Sequence, residues 1–238
     1  MNPLYLKVKS DLLEKITSGF YKEGDLIPTE HELSDIYSVS RPTVRQAIQL
    51  LVDDGYLEKR KKRGTIVCAR KIQQRFTQII SSFDKEMSSK GLISKTKVLS
   101  FKLEKPNIKV IDKLGLDEKD MVFKLIRLRY SDEQPNVLVT TFIPQKLFPS
   151  LIDVDFNTNS LYETFDKLGN PISRIFRKLE TIKADETVAD LLDIEIGDPI
   201  FYFKSVGLNN KGKAIEFSIS KYRGDINSFT FEITNKLI

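Results

Sequence analysis

The sequence predicts an α+β protein with two domains, an N-terminal winged helix-turn-helix and a larger domain around a mostly antiparallel sheet. Three observations support this prediction. Within residues 4–55, apolar residues recur at helical spacing in three short segments. Residues 56–68 contain two β-prone stretches that flank a basic run. Beyond residue 96, strand-like stretches bounded by turn residues alternate with short helical ones.

Composition limits the class of protein. The chain has 238 residues, enough for one or two domains that each bury a core. Hydrophobic residues make up 40% and charged residues 30%, values typical of soluble globular proteins. The net charge is +5, and residues 59–75 hold eight Lys or Arg and no acidic residue. This concentrated positive charge favours an anionic partner.

Cysteine and histidine each occur once, as Cys68 and His31. A single cysteine excludes a disulfide framework within the chain and fits a reducing compartment. The two residues are too few for a structural zinc site, so no metal or other cofactor is predicted. The N-terminus lacks the apolar core of a signal peptide, and no apolar run is long enough to span a bilayer. These features predict a soluble, cytoplasmic protein with no membrane partner.

The first two predicted helices lie before residue 38. The first covers residues 4–18 and ends at Gly19; its apolar stripe consists of Tyr5, Val8, Leu12, Leu13 and Ile16. The second begins at Thr29, which forms a capping box with Glu32 three residues later. A brief turn then leads into a third helix, as in a helix-turn-helix.

The third helix combines an apolar face with a cationic one. The predicted buried residues are Val44, Ala47, Ile48 and Leu51. Ser40 stands at the N-cap, where its hydroxyl can accept a backbone N–H, and Pro42 falls in the first turn. Arg41 and Arg45 are four residues apart and therefore share a face. Because arginine can form bidentate hydrogen bonds to guanine or phosphate, this face suits a DNA groove. A solvated surface helix is the alternative.

A β-hairpin is predicted after Gly55, with strands at residues 56–59 and 65–68. Its tip reads Lys59-Arg60-Lys61-Lys62-Arg63. A tip this basic suits the phosphate backbone or the minor groove of DNA, as in the wing of a winged helix. A solvated turn is the alternative interpretation.

Many residues of this first part stand at spacings found in a known family. They are Pro3-Leu4-Tyr5, Gly19, Gly24, Ile27-Pro28-Thr29-Glu30, Leu33, the run from Val39 to Ala47, Leu51, Gly55 and Arg63-Gly64-Thr65. With them, residues 3–67 resemble the winged-helix domain of the GntR family of bacterial transcription regulators. The resemblance implies a DNA-binding surface made by Glu30, Ser40, Arg41, Thr43, Arg45, Arg60, Lys61, Lys62, Arg63 and Gly64. We expect Glu30 to orient Arg41, and we note that Lys62 replaces a glycine usual in the family's wing.

The domain boundary is placed in the polar, basic stretch after the hairpin. The predicted domains are residues 1–69 and 77–238, joined by a linker at 70–76. Helices are then predicted at 76–91, 106–114, 160–168 and 187–192. Strands are predicted at 96–103, 121–130, 137–143, 172–181, 199–206 and 214–222.

Several motifs of the second domain have counterparts in a known effector-binding domain. They are Ser82-Phe83, Ile126-Arg127-Leu128-Arg129, Pro144, Ser160-Leu161-Tyr162, Gly197-Asp198-Pro199, Ile215-Glu216-Phe217-Ser218 and Tyr222-Arg223-Gly224-Asp225. They resemble the UTRA domain of the HutC subgroup of GntR regulators. The resemblance implies a chorismate-lyase-like fold that binds a small molecule without converting it.

An anion site is predicted on the strand that carries Arg127 and Arg129. These residues are two apart, so their side chains lie on one face, and paired guanidinium groups suit a phosphate or carboxylate. The predicted effector-binding residues are Ser82, Arg127, Arg129, Ser160, Arg174, Glu216 and Tyr222, with Arg177 as an alternative to Arg174. Surface ion pairs with Asp132, Glu133 or Glu180 are the alternative role for these arginines.

The resemblance also bears on the ligand. It assigns Glu216 and Tyr222 to the polar body of the ligand, such as sugar hydroxyls. Relatives that bind sugar phosphates often carry Glu at the position of Val139, which argues against an amino sugar here. A sugar phosphate is the first expectation, and an amino-acid-derived or other small acid is the second.

Together these features predict a repressor that acts as a homodimer on double-stranded operator DNA under the control of a small anionic effector. Two other classes remain open at this point. One is an enzyme with a chorismate-lyase-like domain, in which Glu216 would be the general acid or base. The other is a non-specific DNA binder of the nucleoid type.

Overall fold

The computed structural model describes residues 3–60, 63–68, 71–74 and 80–231. The chain divides into two compact units, Met1–Lys71 and Ile72–Ile238. Each unit has a hydrophobic core of its own, and each is described by itself.

The first unit contains three helices and a hairpin. The helices are α1 (Leu4–Thr17), α2 (Glu30–Tyr37) and α3 (Arg41–Asp53), and the antiparallel strands are β1 (Leu57–Arg60) and β2 (Gly64–Val67). The side chain of Thr29 accepts a hydrogen bond from the backbone N–H of Glu32, and the Glu32 carboxylate accepts one from the N–H of Thr29. The predicted capping box is therefore confirmed. Leu12 of α1 and Leu51 of α3 are fully buried where these helices contribute to the core.

The hairpin is held to the rest of this unit by backbone hydrogen bonds. Thr65 accepts from the N–H of Ile27, and Asp25 accepts from the N–H of Val67. Arg60 pairs with Gly64 at the tip, where Gly64 adopts φ +103°. Because side chains rarely allow this conformation, the turn requires glycine at that position.

The second unit is built on a six-stranded antiparallel sheet. Its strands are β4 (Ser94–Glu104), β5 (Val122–Ser131), β6 (Gln134–Pro144), β7 (Ile172–Lys183), β8 (Pro199–Asn209) and β9 (Ala214–Arg223). Their spatial order is β4-β5-β6-β9-β8-β7, so β4 and β7 lie at the two edges of this sheet. The hairpins predicted for β5–β6 and β8–β9 are both present.

A separate two-stranded parallel sheet joins β3 (Ile72–Gln74) to β10 (Asn227–Phe229). Residues 72–74 fall in the stretch that the sequence predicts as linker, because its polar residues show no regular apolar spacing. That prediction is wrong for these three residues. The strand forms because Gln74 is fully buried and its side-chain amide donates to Asn227 Oδ1 at 2.7 Å, 153 residues later in the chain.

Four helices pack on the sheet: α4 (Phe83–Ser88), α5 (Ile108–Leu114), α6 (Leu161–Lys167) and α7 (Glu186–Leu192). Two short 3₁₀ helices, Gln145–Leu147 and Pro149–Asp153, precede α6. A helix was predicted over residues 76–91, but in the described part of that stretch only Phe83–Ser88 is helical. The helix begins late because Ser82 caps it, its hydroxyl accepting the N–H of Lys85.

The two faces of the sheet carry different helices. Val110 and Leu114 of α5 pack with Phe142 and Phe217. Side chains on the other face of the sheet, such as Val139, form a cluster that includes Phe83 of α4. The helix α4 therefore lies on the face that carries Arg127, as the next subsection describes.

Candidate functional site

A polar pocket lies on the α4 face of the second unit. Its polar lining from the strands consists of Arg127, Arg129, Thr141, Arg177, Ser205, Glu216, Ser218, Ser220 and Tyr222. The segment before α4 contributes Ser81 and Ser82, and the start of α6 contributes Ser160 and Tyr162. Both Ser82 and Ser160 are N-caps, so each hydroxyl accepts a backbone N–H and keeps its own proton to donate.

Two arginines define the electrostatics of the pocket. Arg127 is only 4% exposed; its Nη2 donates to Thr141 Oγ1 at 3.5 Å, a long hydrogen bond. The guanidinium of Arg129 lies over the ring of Phe83, 5.0 Å from its centroid. Among the described residues, the Nε atoms of both arginines are buried without a hydrogen-bond acceptor. Burial lowers the pKa of both groups, and repulsion from Arg129 lowers the pKa of Arg127 further.

Such buried donors are costly unless an acceptor binds them. An unsatisfied buried donor costs roughly 1–3 kcal/mol, and more when it is charged. An anion that entered the pocket would supply the missing acceptors and balance the charge. The arrangement therefore favours an anionic ligand over a neutral one.

A buried carboxyl lies on the same face. Glu216 is 1% exposed, and Tyr162 donates its hydroxyl proton to Glu216 Oε1 at 2.8 Å. Burial raises the pKa of Glu216, although Tyr162 and the arginines of the pocket act in the opposite direction. A Cβ at Gly207 would lie 2.7 Å from the Cγ of Glu216, so glycine at that position makes room for the carboxyl.

Six of the seven predicted effector-binding residues line this pocket, namely Ser82, Arg127, Arg129, Ser160, Glu216 and Tyr222. Arg174 is not part of the lining, whereas Arg177 is. The two are three residues apart on β7, so their side chains point to opposite faces of the sheet. The alternative ion pair with Glu180 is also not formed by an arginine, because Glu180 pairs with Lys178 and Lys204.

Sequence reasoning missed several lining residues, among them Thr141, Tyr162, Ser205, Ser218 and Ser220. A usable signal was present on β9. Polar residues occupy every second position from Glu216 to Tyr222, while Ile215, Phe217 and Ile219 alternate with them. That period indicates a strand with one polar face, and on a strand inside a sheet such a face must meet a polar cavity or solvent.

A chain of polar side chains connects the pocket wall to β3. Glu86 lines the pocket and pairs with Lys90 at 2.9 Å, and Lys90 donates to Gln74 Oε1 at 3.4 Å. Asn227 accepts from Gln74 at 2.7 Å and donates to Asn136 Oδ1 at 2.8 Å. The contacts extend from the pocket to the strand that directly follows Lys71, the last residue of the first unit.

A second candidate surface lies in the first unit, on α2 and α3. Glu30 Oε2 accepts from Arg45 Nη2 at 2.8 Å and from Arg45 Nε at 2.9 Å, and Glu30 Oε1 lies 3.8 Å from Lys59 Nζ. The hydrogen bond from Arg45 lowers the pKa of Glu30. The expectation that Glu30 orients Arg41 is not met: Arg45, one turn further along α3, is its hydrogen-bonded partner.

The start of α3 also differs from expectation. Ser40 occupies the N-cap position, but its hydroxyl lies 2.8 Å from Thr43 Oγ1 and caps no backbone N–H. Arg41 is exposed, as Arg45 is, so both cations of the helix face solvent. In the wing, Arg60 pairs with Glu58 at 3.0 Å.

At the wing tip, Arg63 and Gly64 are exposed. Lys61 and Lys62 lie outside the described residues. Over the residues that the structure describes, no group of three or more His, Cys, Asp or Glu could hold a metal ion. No helix in the same residues is long and apolar enough to cross a membrane.

Comparison with known proteins identifies both units. Residues 4–67 match the family described as bacterial regulatory proteins, gntR family, and residues 89–227 match the UTRA domain. The HTH-type transcriptional repressor NagR of Bacillus subtilis (strain 168) is 30% identical over 228 residues, which cover 95% of this chain and 93% of that one. The mannosyl-D-glycerate transport/metabolism system repressor MngR of Escherichia coli (strain K12) is 30% identical over 229 residues, covering 96% and 95%.

A solved structure is also similar to this chain over nearly its full length. The crystal structure of PhnF from Mycobacterium smegmatis superposes with a TM-score of 0.85 at 28% identity. The match covers 96% of this chain and 100% of that one.

Proposed function

Since this chain belongs to the GntR family of bacterial regulatory proteins and carries a UTRA domain, we propose that it is a homodimeric repressor whose binding to operator DNA is controlled by a small anion. The observation that carries the proposal is the pair of buried Nε atoms of Arg127 and Arg129, which have no acceptor within the part of the chain that the structure describes. Effector binding would shift the population of arrangements in which both copies can dock on their half-sites.

On the DNA side, Arg41 and Arg45 are the groups proposed for the groove, and Ser40 and Thr43 for phosphate contacts. The ion pair with Glu30, the first residue of α2, fixes the position of the exposed Arg45 guanidinium. The wing residues Arg60, Lys61, Lys62, Arg63 and Gly64 would add phosphate or minor-groove contacts. Two copies of this surface would read the two halves of a palindromic operator.

For the effector, a sugar phosphate remains our first proposal. A phosphate offers several acceptor oxygens to Arg127, Arg129 and Arg177, which all line the pocket. Glu216 and the serines of β9 then face the remainder of the ligand and suit its hydroxyl groups. Val139 in the lining stands where sugar-phosphate-binding relatives often carry Glu, and it offers no acceptor to a ligand hydroxyl, so we propose a sugar other than an amino sugar.

A small carboxylic acid is the second candidate. The guanidinium fork matches carboxylate as well as phosphate geometry. The relative MngR is named as a repressor of mannosyl-D-glycerate transport and metabolism, and glycerate is a carboxylic acid, so this relative supports a ligand of the second class.

The test is a thermal shift series with sugar 6-phosphates, the corresponding sugars without phosphate, and small carboxylic acids. A ligand present at one hundred times its Kd adds about 2.7 kcal/mol of stability. This gain raises Tm by about 2–4 °C per kcal/mol in a chain of this size. Arg127→Ala should abolish the shift, while Arg174→Ala, an arginine outside the lining, should retain it. A flat response of the wild type across the whole series would contradict the proposed effector classes.

Operator binding is tested separately with DNA from upstream of the gene and with random DNA of equal length. Arg41→Ala should weaken operator binding by about 1–3 kcal/mol if the guanidinium of Arg41 forms a bidentate hydrogen bond to a base. Equal wild-type affinity for both DNAs would instead identify a non-specific binder.

A further inference from the structure

A buried ion pair lies in the wall of the effector pocket. Glu86 of α4 is 7% exposed and lines the pocket, and its Oε1 lies 2.9 Å from Nζ of Lys90, whose side chain is 14% exposed. A buried ion pair often stabilises a protein no more than apolar residues of similar volume would, because both charges lose their hydration. Stability alone therefore does not explain why two charges are placed here.

The carboxylate of Glu86 lies close to the anion site. Glu86 follows Phe83 by three residues on α4, so the two side chains lie on the same side of the helix. The guanidinium of Arg129 lies over the ring of Phe83, 5.0 Å from its centroid. A ligand whose anionic group is bound by Arg129 therefore brings its neighbouring groups within reach of Glu86, about one helical turn away. Because an ionised carboxylate only accepts hydrogen bonds, Glu86 suits a hydroxyl group of the ligand.

Lys90 joins Glu86 to strand β3. Its ammonium group donates to Glu86 Oε1 at 2.9 Å and to Gln74 Oε1 at 3.4 Å. The second hydrogen bond is long, so a small shift of the ammonium group towards Gln74 would strengthen it. The same ammonium group thus contacts the pocket wall on one side and β3 on the other.

Strand β3 depends on these side-chain hydrogen bonds. It has three residues and pairs with β10, and so short a two-stranded sheet is only marginally stable by itself. Gln74 is fully buried; its amide donates to Asn227 Oδ1 at 2.7 Å, and its oxygen accepts from Lys90. Because β3 directly follows Lys71, the last residue of the first unit, a change at Lys90 would act where the chain enters the effector-binding unit.

We propose that Glu86 is a further effector-binding residue, which accepts a hydrogen bond from a ligand hydroxyl, and that Lys90 transmits this contact to β3. A hydroxyl bound to Glu86 competes with Lys90 for the carboxylate, so the ammonium group moves towards Gln74 and holds β3 more firmly. This inference rests on the proposed function and specifies both a ligand contact and the route by which the effector acts. By linkage, an occupied pocket and a firmly paired β3 favour each other.

Glu86→Gln in the full-length protein without ligand tests the route. The substitution keeps the shape of the side chain and removes its charge, so Lys90 should bond more closely to Gln74, as it would with an occupied pocket. We expect hydrogen exchange of the β3 amides to slow roughly two- to tenfold. Exchange that is unchanged or faster would overturn the route.

Glu163→Gln is the matched control for this measurement. Glu163 also pairs with a lysine of α4, Lys85, at 2.9 Å, but it lies outside the pocket lining. Its substitution should leave exchange in β3 as in the wild type. Slowing of equal size in both variants would overturn the route, because loss of any ion pair on α4 would then produce it.

The ligand contact is tested with inorganic phosphate and with the 6-phosphates of glucose, fructose and mannose. Inorganic phosphate offers the anion without sugar hydroxyls, so Glu86→Gln should bind it more tightly than the wild type does, since a nearby negative charge is removed. A sugar 6-phosphate that stabilises the wild type should bind Glu86→Gln about tenfold more weakly, because a hydrogen bond to a charged acceptor is lost. Equal weakening of both kinds of probe would overturn the contact with a hydroxyl.

The double variant Glu86→Gln/Lys90→Met tests whether Lys90 carries the effect. It contains neither charge, so it avoids the cost of leaving one buried charge unpaired. Without Lys90, exchange in β3 should not show the slowing that Glu86→Gln alone produces. Persistence of the slowing in the double variant would overturn transmission through Lys90.

These measurements separate the inference from the proposed function. If Arg127→Ala abolishes the response to a ligand but Glu86→Gln leaves exchange in β3 unchanged, the inference fails and the anion-controlled repressor stands. If no ligand of the series stabilises the wild type, the proposed effector classes are contradicted, and the contact of Glu86 with a ligand hydroxyl fails with them. Exchange in β3 of ligand-free Glu86→Gln decides the connection through Lys90 in either case.

Discussion

Replacing Arg127 by methionine is expected to stabilise the effector-free protein and to abolish its response to the effector. Arg127 is 4% exposed, its Nε has no acceptor among the described residues, and Arg129 repels it. Methionine has a similar length and carries no charge, so it can fill the same space without a desolvation penalty. Only the ligand-bound state needs the cation.

The magnitude follows from the contacts that the substitution removes. The hydrogen bond to Thr141 is 3.5 Å long and contributes at most about 1 kcal/mol. Desolvation of a buried ion costs several kcal/mol, and apolar replacement of buried charged groups often stabilises a protein by about 1–4 kcal/mol. Attraction to Glu216 offsets only part of this cost, since burial and repulsion from Arg129 are the larger influences on Arg127. We therefore expect the free energy of unfolding of residues 72–238 to rise by about 1–3 kcal/mol.

Urea denaturation of the full chain without ligand, followed by circular dichroism, measures this change as a higher midpoint at constant slope. Arg174→Met, at an arginine outside the pocket, is the control and should stay within about 0.5 kcal/mol of the wild type. Adding a ligand that stabilises the wild type should leave the free energy of unfolding of Arg127→Met unchanged. The difference in stability between the two proteins should then narrow or reverse. If Arg127→Met instead loses more than about 1 kcal/mol without ligand, the buried cation is already compensated and the argument for an anion site is refuted.

Three further predictions address other parts of the molecule. Asn227→Ala removes the acceptor of the Gln74 side-chain NH2 group and should lower the free energy of unfolding by about 1–3 kcal/mol, with loss of hydrogen-exchange protection in β3. Unchanged protection would contradict the role of this network. Glu30→Gln removes the ion pair with Arg45 and one negative charge from the proposed DNA-binding surface. Fluorescence anisotropy should therefore show tighter binding to random DNA and a smaller preference for the operator. An unchanged preference would mean that the ion pair does not position Arg45. Because the pKa of Glu216 is raised on folding, its contribution to stability is complete below the ordinary value near 4.5 and is lost as the pH rises through the folded pKa. Glu216→Gln should therefore gain stability relative to wild type as the pH increases, and a difference that does not vary with pH would argue against a raised pKa.

Much of the first unit could be predicted from local sequence. The capping box of Thr29 and Glu32, the apolar face of α3 and the hairpin with Gly64 at its tip depend on residues a few positions apart. The family resemblance added the function: the prediction of a GntR-type transcription regulator with a UTRA domain, and not an enzyme, is confirmed by the comparisons. The six strands of the large sheet in the second unit were likewise predicted from their alternation and turn residues.

Contacts between distant residues could not be predicted in this way. The sequence alone determined the three helices of the first unit, the six strands of the large sheet and that Arg127 and Arg129 share a face, because helix and strand periods are local properties. Only the tertiary structure decided that Glu30 pairs with Arg45, that Arg177 and not Arg174 reaches the pocket, and that Gln74 bonds to Asn227. These contacts depend on how helices pack and on strand order, which bring together residues that no local period relates.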